Sequence, residues 1–260
     1  MNIDEATQIL WQSTPTGGSP TGGSPAVTLH KQLTMNDAYR VQLNILACRQ
    51  AAGETLAGWK IGLSAASARQ AFGLSAPISA PLFVQCHFPS GHTFSYEAIR
   101  KPIIESELCF TIGKRLAGPG VTRDQVLAAI SAVAPAFEVV DMRVNMAEDM
   151  PLGVADGIAQ WGYVTGAAVS PYPANLDLGA VTVEMQRNGE VFAKVVGKDV
   201  IDNQLDCIAW LANHLATCGL ALEPEQQIMS GSFTKPTPIS KGDRWESLFS
   251  SVGSVSATFA

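Results

Sequence analysis

The stretch Lys101–Phe110, KPIIESELCF, places two glutamates in an otherwise apolar run. Successive side chains of a β-strand point to opposite faces, so Glu105 and Glu107 would share one face and Ile104 and Leu108 the other. Two carboxylates about 7 Å apart on one face repel each other when both are ionised and partly buried, and a cation restores the charged forms. The stretch therefore predicts a strand whose glutamates are solvated at an edge, paired with arginines, or bound to a hard cation.

A third carboxylate lies in a second apolar, β-prone run, APAFEVVDMRV. Glu138 and Asp141 in this run fall on opposite strand faces, so only one of them can join the first pair. Three carboxylates without suitably spaced histidine or cysteine favour an oxygen-binding ion, Mg²⁺ or Mn²⁺. Zinc is disfavoured because the four histidines show neither HxH nor HExxH spacing, and His214 is expected to be a packed or surface residue of a helix.

A lysine occupies a short apolar run, GWKIGLS at residues 58–64. A lysine between Trp59 and Ile61 costs free energy unless it is paired or functional. Two interpretations stay open at this point. In the first, Lys60 extends its ammonium group to solvent at the rim of the sheet. In the second, it acts as a general acid/base or an electrostatic clamp.

The composition excludes several classes of protein. With 260 residues, 47% hydrophobic and 15% charged, the chain can bury a substantial core in one large domain, with or without a small lobe. A net charge of -6 without a lysine or arginine cluster argues against nucleic-acid binding. There is no apolar run of 18 residues and no signal peptide at the start, so we predict no membrane contact and a cytoplasmic location. Five scattered cysteines are expected to be small apolar fillers in a reducing compartment.

The helical signals lie mainly in the first half of the chain. Helices are predicted at residues 1–12, 33–53, 122–133 and 205–219. Thr34 or Asn36 is the expected cap of the second helix, and a capping box of Thr122 and Gln125 opens the third, which Pro135 prevents from continuing. The Gly/Ser/Pro tandem at residues 14–25 is predicted to be a mobile loop.

The second half contains more strand signals than helix signals. Alternating apolar residues flank Asn188–Gly189, which is typical of a two-residue hairpin turn. Further short strands are predicted near residues 227–235 and 253–259. This order predicts an α+β fold with a mostly antiparallel, barrel-like or sandwich sheet and peripheral helices, rather than alternating βαβ units.

Four segments, in order, resemble the hydratase/decarboxylase branch of the fumarylacetoacetate hydrolase superfamily: GWKIGLS, PIIESELCFTIGKRLAGPGVT, AFEVVDMRV and IMSGSFT. The resemblance covers nearly the whole chain after the Gly/Ser/Pro tandem. It implies a mixed β-roll with peripheral helices, usually assembled as a homo-oligomer. We accordingly predict an N-terminal helical segment at residues 1–57 and a catalytic β-roll domain at residues 58–260.

The resemblance also implies the roles of individual residues. Glu105, Glu107 and Glu138 would bind Mg²⁺ or Mn²⁺, and Lys60 would lie beside a bound small 2-oxo acid as the catalytic residue. The predicted substrate contacts are Leu63, Ile78 and Ser232.

Two departures from the family pattern bear on the reaction. Hydratases of this branch carry an acidic residue in a PDYG or PDFG segment, where this chain has Ile78. The family's ADNAS reads ADGIA at residues 155–159. We expect a hydratase acting on 2-hydroxypenta-2,4-dienoate or a similar acid. The alternatives are a decarboxylase of a 4-oxalocrotonate-like diacid and a catalytically degenerate protein that only binds 2-oxo acids.

Overall fold

The computed structural model describes residues 2–13, 26–201 and 203–260. The Gly/Ser/Pro tandem predicted to be a mobile loop lies outside the described residues. Eight α-helices are described: α1 (Ile3–Ser13), α2 (Ala26–Leu29), α3 (Met35–Ala51), α4 (Ala66–Ala71), α5 (Arg123–Ala129), α6 (Met150–Ala155), α7 (Gly197–Val200) and α8 (Gln204–Ala216).

The strands of the described residues form two sheets. They are β1 (Leu56–Gly62), β2 (Ile78–Phe83), β3 (His87–Pro89), β4 (His92–Phe94), β5 (Pro102–Ile112), β6 (Ile130–Asp141), β7 (Gln160–Thr165), β8 (Thr182–Arg187), β9 (Glu190–Val196), β10 (Gln227–Ser232), β11 (Thr237–Pro238), β12 (Arg244–Phe249) and β13 (Gly253–Phe259). The larger sheet has the order β2-β1-β10-β5-β6-β7-β3, with β11 paired to β5, and the smaller has the order β4-β13-β12-β8-β9.

Most strand pairs are antiparallel, and three pairs are parallel: β1 with β10, β3 with β7, and β4 with β13. The mixed α+β class is thus confirmed. The ladders of the described strands leave β2 and β3 as the two edges of the larger sheet, so this sheet is open rather than a closed barrel.

The two faces of the larger sheet differ in character. On β5, Ile104, Leu108 and Phe110 face the main hydrophobic core, as the two-residue period predicts. The opposite face carries a smaller cluster that includes Cys109 and Tyr163. The second face carries far fewer core residues than the first, so it leaves room for a polar site.

The helices near the chain start cover one end of the larger sheet. Helices α1 and α6 pack against α3, and their apolar residues form a separate core with Ile78 of β2. Thr34, rather than Asn36, caps α3 through a capping box with Asp37. This packing places α6, and the turn that follows it, beside β2 and close to β1.

Two local predictions are confirmed and one needs correction. The Thr122–Gln125 capping box forms, and Asn188 and Gly189 adopt the left-handed conformation of a hairpin turn. The predicted helix at 122–133 was too long, because Ile130 already begins β6. Pairing of this segment with β5 outweighs its local helical preference, and Pro135 lies within the strand opposite Leu108.

None of the described helices is long and apolar enough to span a bilayer.

Candidate metal and substrate site

The register between β5 and β6 brings three carboxylates together. Glu105 lies directly opposite Glu138, and Glu107 is two residues further along the same face. One carboxylate oxygen from each residue lies within 4.8 Å of the others. Among the described residues this is the one group of three His, Cys, Asp or Glu side chains that comes this close. We call Glu105, Glu107 and Glu138 the carboxylate trio.

Lys60 of β1 extends toward the trio and is not a rim lysine. Its side chain is only 3% exposed and forms an ion pair with Glu138. The same ammonium group donates a hydrogen bond of 3.0 Å to the carbonyl oxygen of Ile158. The interpretation of Lys60 as a solvent-reaching side chain is therefore wrong, because both partners hold the ammonium group inside the protein.

The carbonyl that holds Lys60 belongs to a left-handed turn after α6. Gly157, Ile158 and Ala159 have φ values of 79°, 54° and 55°. A β-branched residue such as isoleucine rarely adopts positive φ, and this conformation costs about 1–3 kcal/mol. The surrounding structure must therefore impose the conformation of Ile158, which aims its carbonyl at Lys60.

Burial and repulsion between carboxylates raise the pKa of Glu105 and of Glu107. Burial raises the pKa of Glu105 to about 7, the charge of Glu138 adds to the increase, and Lys60 opposes it. Burial and then the charges of Glu138 and Glu105 raise the pKa of Glu107 well above its usual range, against the Gly231 N–H and Lys60. Without a further cation, the protein can keep these carboxyls buried only by protonating part of the trio.

The charge count and the donor atoms fit a divalent cation. Three carboxylates against one ammonium group leave two negative charges in excess. The available ligand atoms are carboxylate oxygens, which Mg²⁺ and Mn²⁺ prefer, and no arginine pairs with the trio among the described residues. Glu105, Glu107 and Glu138 could thus hold such an ion, and the arginine-paired alternative does not apply.

Gly231 of β10 supports the trio through its backbone. Its N–H donates a hydrogen bond of 3.0 Å to Oε2 of Glu107. Gly231 has φ +106°, and a methyl group added to it would lie 2.1 Å from Oγ of Ser64. Only glycine fits here, because the position requires both a positive φ and close contact with a neighbouring segment.

A cavity of about 720 Å³ opens from the trio. Its wall contains the three predicted substrate contacts Leu63, Ile78 and Ser232. Leu63 has a left-handed backbone with φ 54°, and Ile78 is 1% exposed. The Ser232 hydroxyl donates to the Thr234 carbonyl at 2.7 Å, which stabilises the local turn. All three residues thus line one cavity.

Much of the remaining wall is apolar. The nonpolar lining residues include Ile61, Phe72, Ile103, Val140, Met142, Met146 and Val200. Outside the trio, Asp199 on α7 is the one carboxylate among the described lining residues, and it is exposed. The cavity therefore combines a charged inner end with mainly apolar walls, which suits a short acid with a hydrocarbon chain.

A second buried ion pair, which was not predicted from the sequence, involves Asp156, the residue directly before the left-handed turn. Nε of Arg143 donates to Oδ2 of Asp156 at 2.9 Å, and both side chains are almost fully buried. Burial raises the pKa of Asp156, and Arg143 opposes this effect. The sequence does show opposite charges on the two sides of the apolar helix α6, Arg143 before it and Asp156 after it. Their pairing is a tertiary contact that local spacing does not reveal.

His214 is correctly predicted to be a packed residue. Its ring is half-buried and stacks on Trp210, with centroids 5.1 Å apart, and it also contacts Tyr39. Burial lowers the pKa of His214. It takes no part in the cluster around the trio.

The chain belongs to the family described as fumarylacetoacetate (FAA) hydrolase C-terminal, whose profile matches residues 61–260. It is 33% identical over 241 residues to a 2-hydroxyhexa-2,4-dienoate hydratase from Comamonas testosteroni, which covers 90% of each protein. It is also 33% identical over 231 residues to a 4-oxalocrotonate decarboxylase from Pseudomonas sp. strain CF600, covering 88% of this chain and 87% of the relative.

A solved structure resembles the whole chain. The 4-oxalocrotonate decarboxylase from Pseudomonas putida G7, complexed with magnesium and adipate, superimposes with a TM-score of 0.90 at 29% identity. The match covers 100% of this chain and 99% of that protein. These similarities place the chain among relatives of both reaction types, hydration and decarboxylation.

Proposed function

We propose that this protein is a lyase that hydrates a small 2-hydroxy-dienoate, such as 2-hydroxypenta-2,4-dienoate, to a 4-hydroxy-2-oxo acid. The main observation in support is the carboxylate trio with one buried lysine at the inner end of an apolar cavity. The similarity to a hydratase of 2-hydroxyhexa-2,4-dienoate is consistent with this assignment. In the net reaction the substrate gains one water, with the hydroxyl at C4.

The trio would hold Mg²⁺ or Mn²⁺. When bound, the ion supplies a Lewis acid for the oxygens of the 2-oxo acid. Lys60 is held by Glu138 and the Ile158 carbonyl, so its ammonium group stands at a fixed place beside the reacting acid. We propose that the Lys60 ammonium group gives a proton to the carbon chain during ketonisation and regains one from the 2-hydroxyl. Leu63 and Ile78 would contact the hydrocarbon chain of the substrate.

Decarboxylation is the second candidate, and Ile78 favours it. The cavity wall is apolar where hydratases of this branch carry an acid, and the exposed Asp199 is the one additional carboxylate among the described lining residues. Loss of CO₂ from a 2-oxo diacid needs an electron sink but no group that activates water. The high similarity to a decarboxylase over the full chain is consistent with this candidate.

Product analysis distinguishes the two reactions. The protein is incubated with Mg²⁺ and either 2-hydroxypenta-2,4-dienoate or 2-oxohex-3-enedioate, and absorbance, CO₂ and product mass are followed. Loss of dienoate absorbance with a product heavier by one water, and without CO₂, supports the hydratase. Release of CO₂ from the diacid supports the decarboxylase. If neither substrate reacts, both assignments fail, and metal-dependent oxalate binding without turnover would support the non-catalytic alternative.

The Lys60→Met variant tests the role of the lysine separately from the metal. We expect turnover to decrease roughly 10²–10⁴-fold, the range for a lost proton-transfer group. Mn²⁺ affinity should not decrease, because the variant removes a positive charge beside the trio. Unchanged turnover would contradict the catalytic role of Lys60.

The domain division at residues 57 and 58, the homo-oligomeric state and the cytoplasmic location stay predictions. Sedimentation velocity of the purified protein tests the oligomeric state directly. A single species with the mass of one chain would contradict that prediction.

A further inference from the structure

Ser64 lies on the cavity wall just after β1, and its hydroxyl has no hydrogen-bond partner among the described residues. The residue is 5% exposed. Other buried serines near the trio differ, because the Ser230 hydroxyl donates to the Leu108 carbonyl at 3.0 Å and Ser106 shares a bond of 2.8 Å with Ser247. The Ser64 hydroxyl is therefore free to form a hydrogen bond with a ligand in the cavity that this residue lines.

The backbone around Ser64 is fixed in place. Leu63 adopts a left-handed conformation with φ 54°. Arg69 of α4 donates hydrogen bonds to the carbonyls of both Leu63 and Ser64, at 3.1 and 2.5 Å, and the Cys207 thiol contacts the Ser64 carbonyl at 3.7 Å. The backbone that carries the Ser64 hydroxyl is thus held by contacts outside the cavity, as expected for a preorganised binding group.

The hydroxyl is also close to the trio. Ser64 Oγ packs against Gly231, where an added methyl group would lie 2.1 Å away. The N–H of the same Gly231 donates to Oε2 of Glu107. Ser64 therefore stands one residue away from a carboxylate of the trio, at the end of the cavity where the acid group of a ligand would lie.

Two other donors at this end already have partners within the protein. The Lys60 ammonium group is shared between Glu138 and the Ile158 carbonyl, and the Ser232 hydroxyl is bonded to the Thr234 carbonyl. We propose that the Ser64 hydroxyl donates a hydrogen bond to the carboxylate of the bound 2-oxo acid and so positions it. This inference rests on the proposed function, because it assumes that a small 2-oxo acid binds beside the trio.

The test compares Ser64→Ala with Ser67→Ala. Ser67 is a matched control, because it lines the same cavity three residues later but is exposed on α4. Mn²⁺ binding and then oxalate binding to the Mn²⁺-loaded protein are measured by calorimetry for the full-length wild type and both variants. Loss of one hydrogen bond to a charged group predicts about 10- to 100-fold weaker oxalate binding for Ser64→Ala, with unchanged Mn²⁺ affinity and an unchanged thermal midpoint. Ser67→Ala should match the wild type.

The outcomes separate this inference from the proposed function. If the wild type binds Mn²⁺ and oxalate and Ser64→Ala binds oxalate equally well, the role of Ser64 is wrong while the proposed function stands. Equal losses in Ser64→Ala and Ser67→Ala would also overturn the role of Ser64. If the wild type binds neither Mn²⁺ nor oxalate, the proposed function fails and the role of Ser64 fails with it. With an active substrate, the expected effect of Ser64→Ala lies in KM rather than kcat.

Discussion

Two clusters of buried charge lie on either side of the turn at residues 157–159. One is the carboxylate trio with Lys60, which the Ile158 carbonyl helps to hold. The other is the ion pair of Arg143 and Asp156, directly before the turn. In the ion pair, one carboxylate meets one guanidinium, and the two neighbouring charges, Asp141 and Arg100, are also opposite in sign. In the trio, three carboxylates meet one ammonium group.

The difference separates a structural charge cluster from a functional one. A buried pair whose charges balance needs no ligand, although removal of one partner leaves an uncompensated charge. The trio leaves two negative charges without a partner, and the charges of neighbouring carboxylates of the trio add to the effect of burial in raising the pKa of Glu105 and Glu107. An unbalanced cluster at the end of a cavity indicates a site completed by a ligand.

The largest expected effect on turnover comes from removing one negative charge from the trio by the substitution Glu107→Gln. Glu107→Gln keeps an oxygen that can accept the Gly231 N–H bond but removes a negative charge and a strong metal ligand. We expect turnover to decrease about 10³-fold, since several kcal/mol of stabilisation depend on the ion. Mn²⁺ binding, measured by calorimetry, should weaken strongly.

Asp156→Asn is the matched control for that variant, because Asp156 is also a buried carboxylate but belongs to the balanced pair. It should keep Mn²⁺ binding in the folded protein. If Glu107→Gln binds Mn²⁺ as tightly as the wild type, the distinction between the two clusters is wrong.

Arg143→Met tests the balanced pair. Breaking a buried ion pair by removing one partner costs about 3–5 kcal/mol of the free energy of unfolding, which urea denaturation of the metal-free protein measures. The double variant Arg143→Met, Asp156→Leu should recover part of this loss, because it removes the unpaired charge, while the bonds from Arg143 to the Gln160 and Asp156 carbonyls stay lost. A folded Arg143→Met protein that has normal stability but no longer binds Mn²⁺ would show that the pair belongs to the metal site.

A smaller effect concerns pH. In the metal-free protein the pKa of Glu105 rises from 4.5 to about 7, so the folded state binds more protons than the unfolded state between these values. The contribution of this group to stability therefore decreases as pH rises through this window. Metal binding requires the deprotonated carboxylate and so becomes stronger over the same window.

The direction of this pH dependence is tested by measuring the thermal midpoint of unfolding with excess Mn²⁺ and again with a chelator. The difference between the two midpoints should grow as the pH is raised from about 5 to about 8, and Glu107→Gln should reduce it. A difference that stays constant or shrinks with rising pH would contradict the raised pKa values.

Local patterns were sufficient to predict much of the fold. The two-residue period of β5 predicts that Glu105 and Glu107 share a face, and the structure places them there with the main core on the other face. The hairpin at Asn188–Gly189 and the capping box at Thr122 are equally local, and both form. The exception is Ile130, where pairing with β5 replaces the expected helix.

The site depends on contacts that local patterns do not contain. Glu138 meets Glu105 through the register of β5 and β6, and a shift of one residue would place it on the opposite face. Lys60 reaches Glu138 although β10 and β5 lie between their strands. Local patterns left the third carboxylate open between Glu138 and Asp141, and only the resemblance to a known family selected Glu138 and placed Lys60 at the same site. The role of the Ile158 carbonyl was not predicted, because a backbone group leaves no mark in the sequence.

The central claim is that the carboxylate trio is completed by one divalent ion. A crystal of the protein grown with Mn²⁺ and measured near the manganese absorption edge tests it most directly. We predict one strong anomalous peak in contact with an oxygen of each of Glu105, Glu107 and Glu138, with Lys60 beside it. A map without a peak at this place, or with the three carboxylates turned away from one another, would contradict the claim.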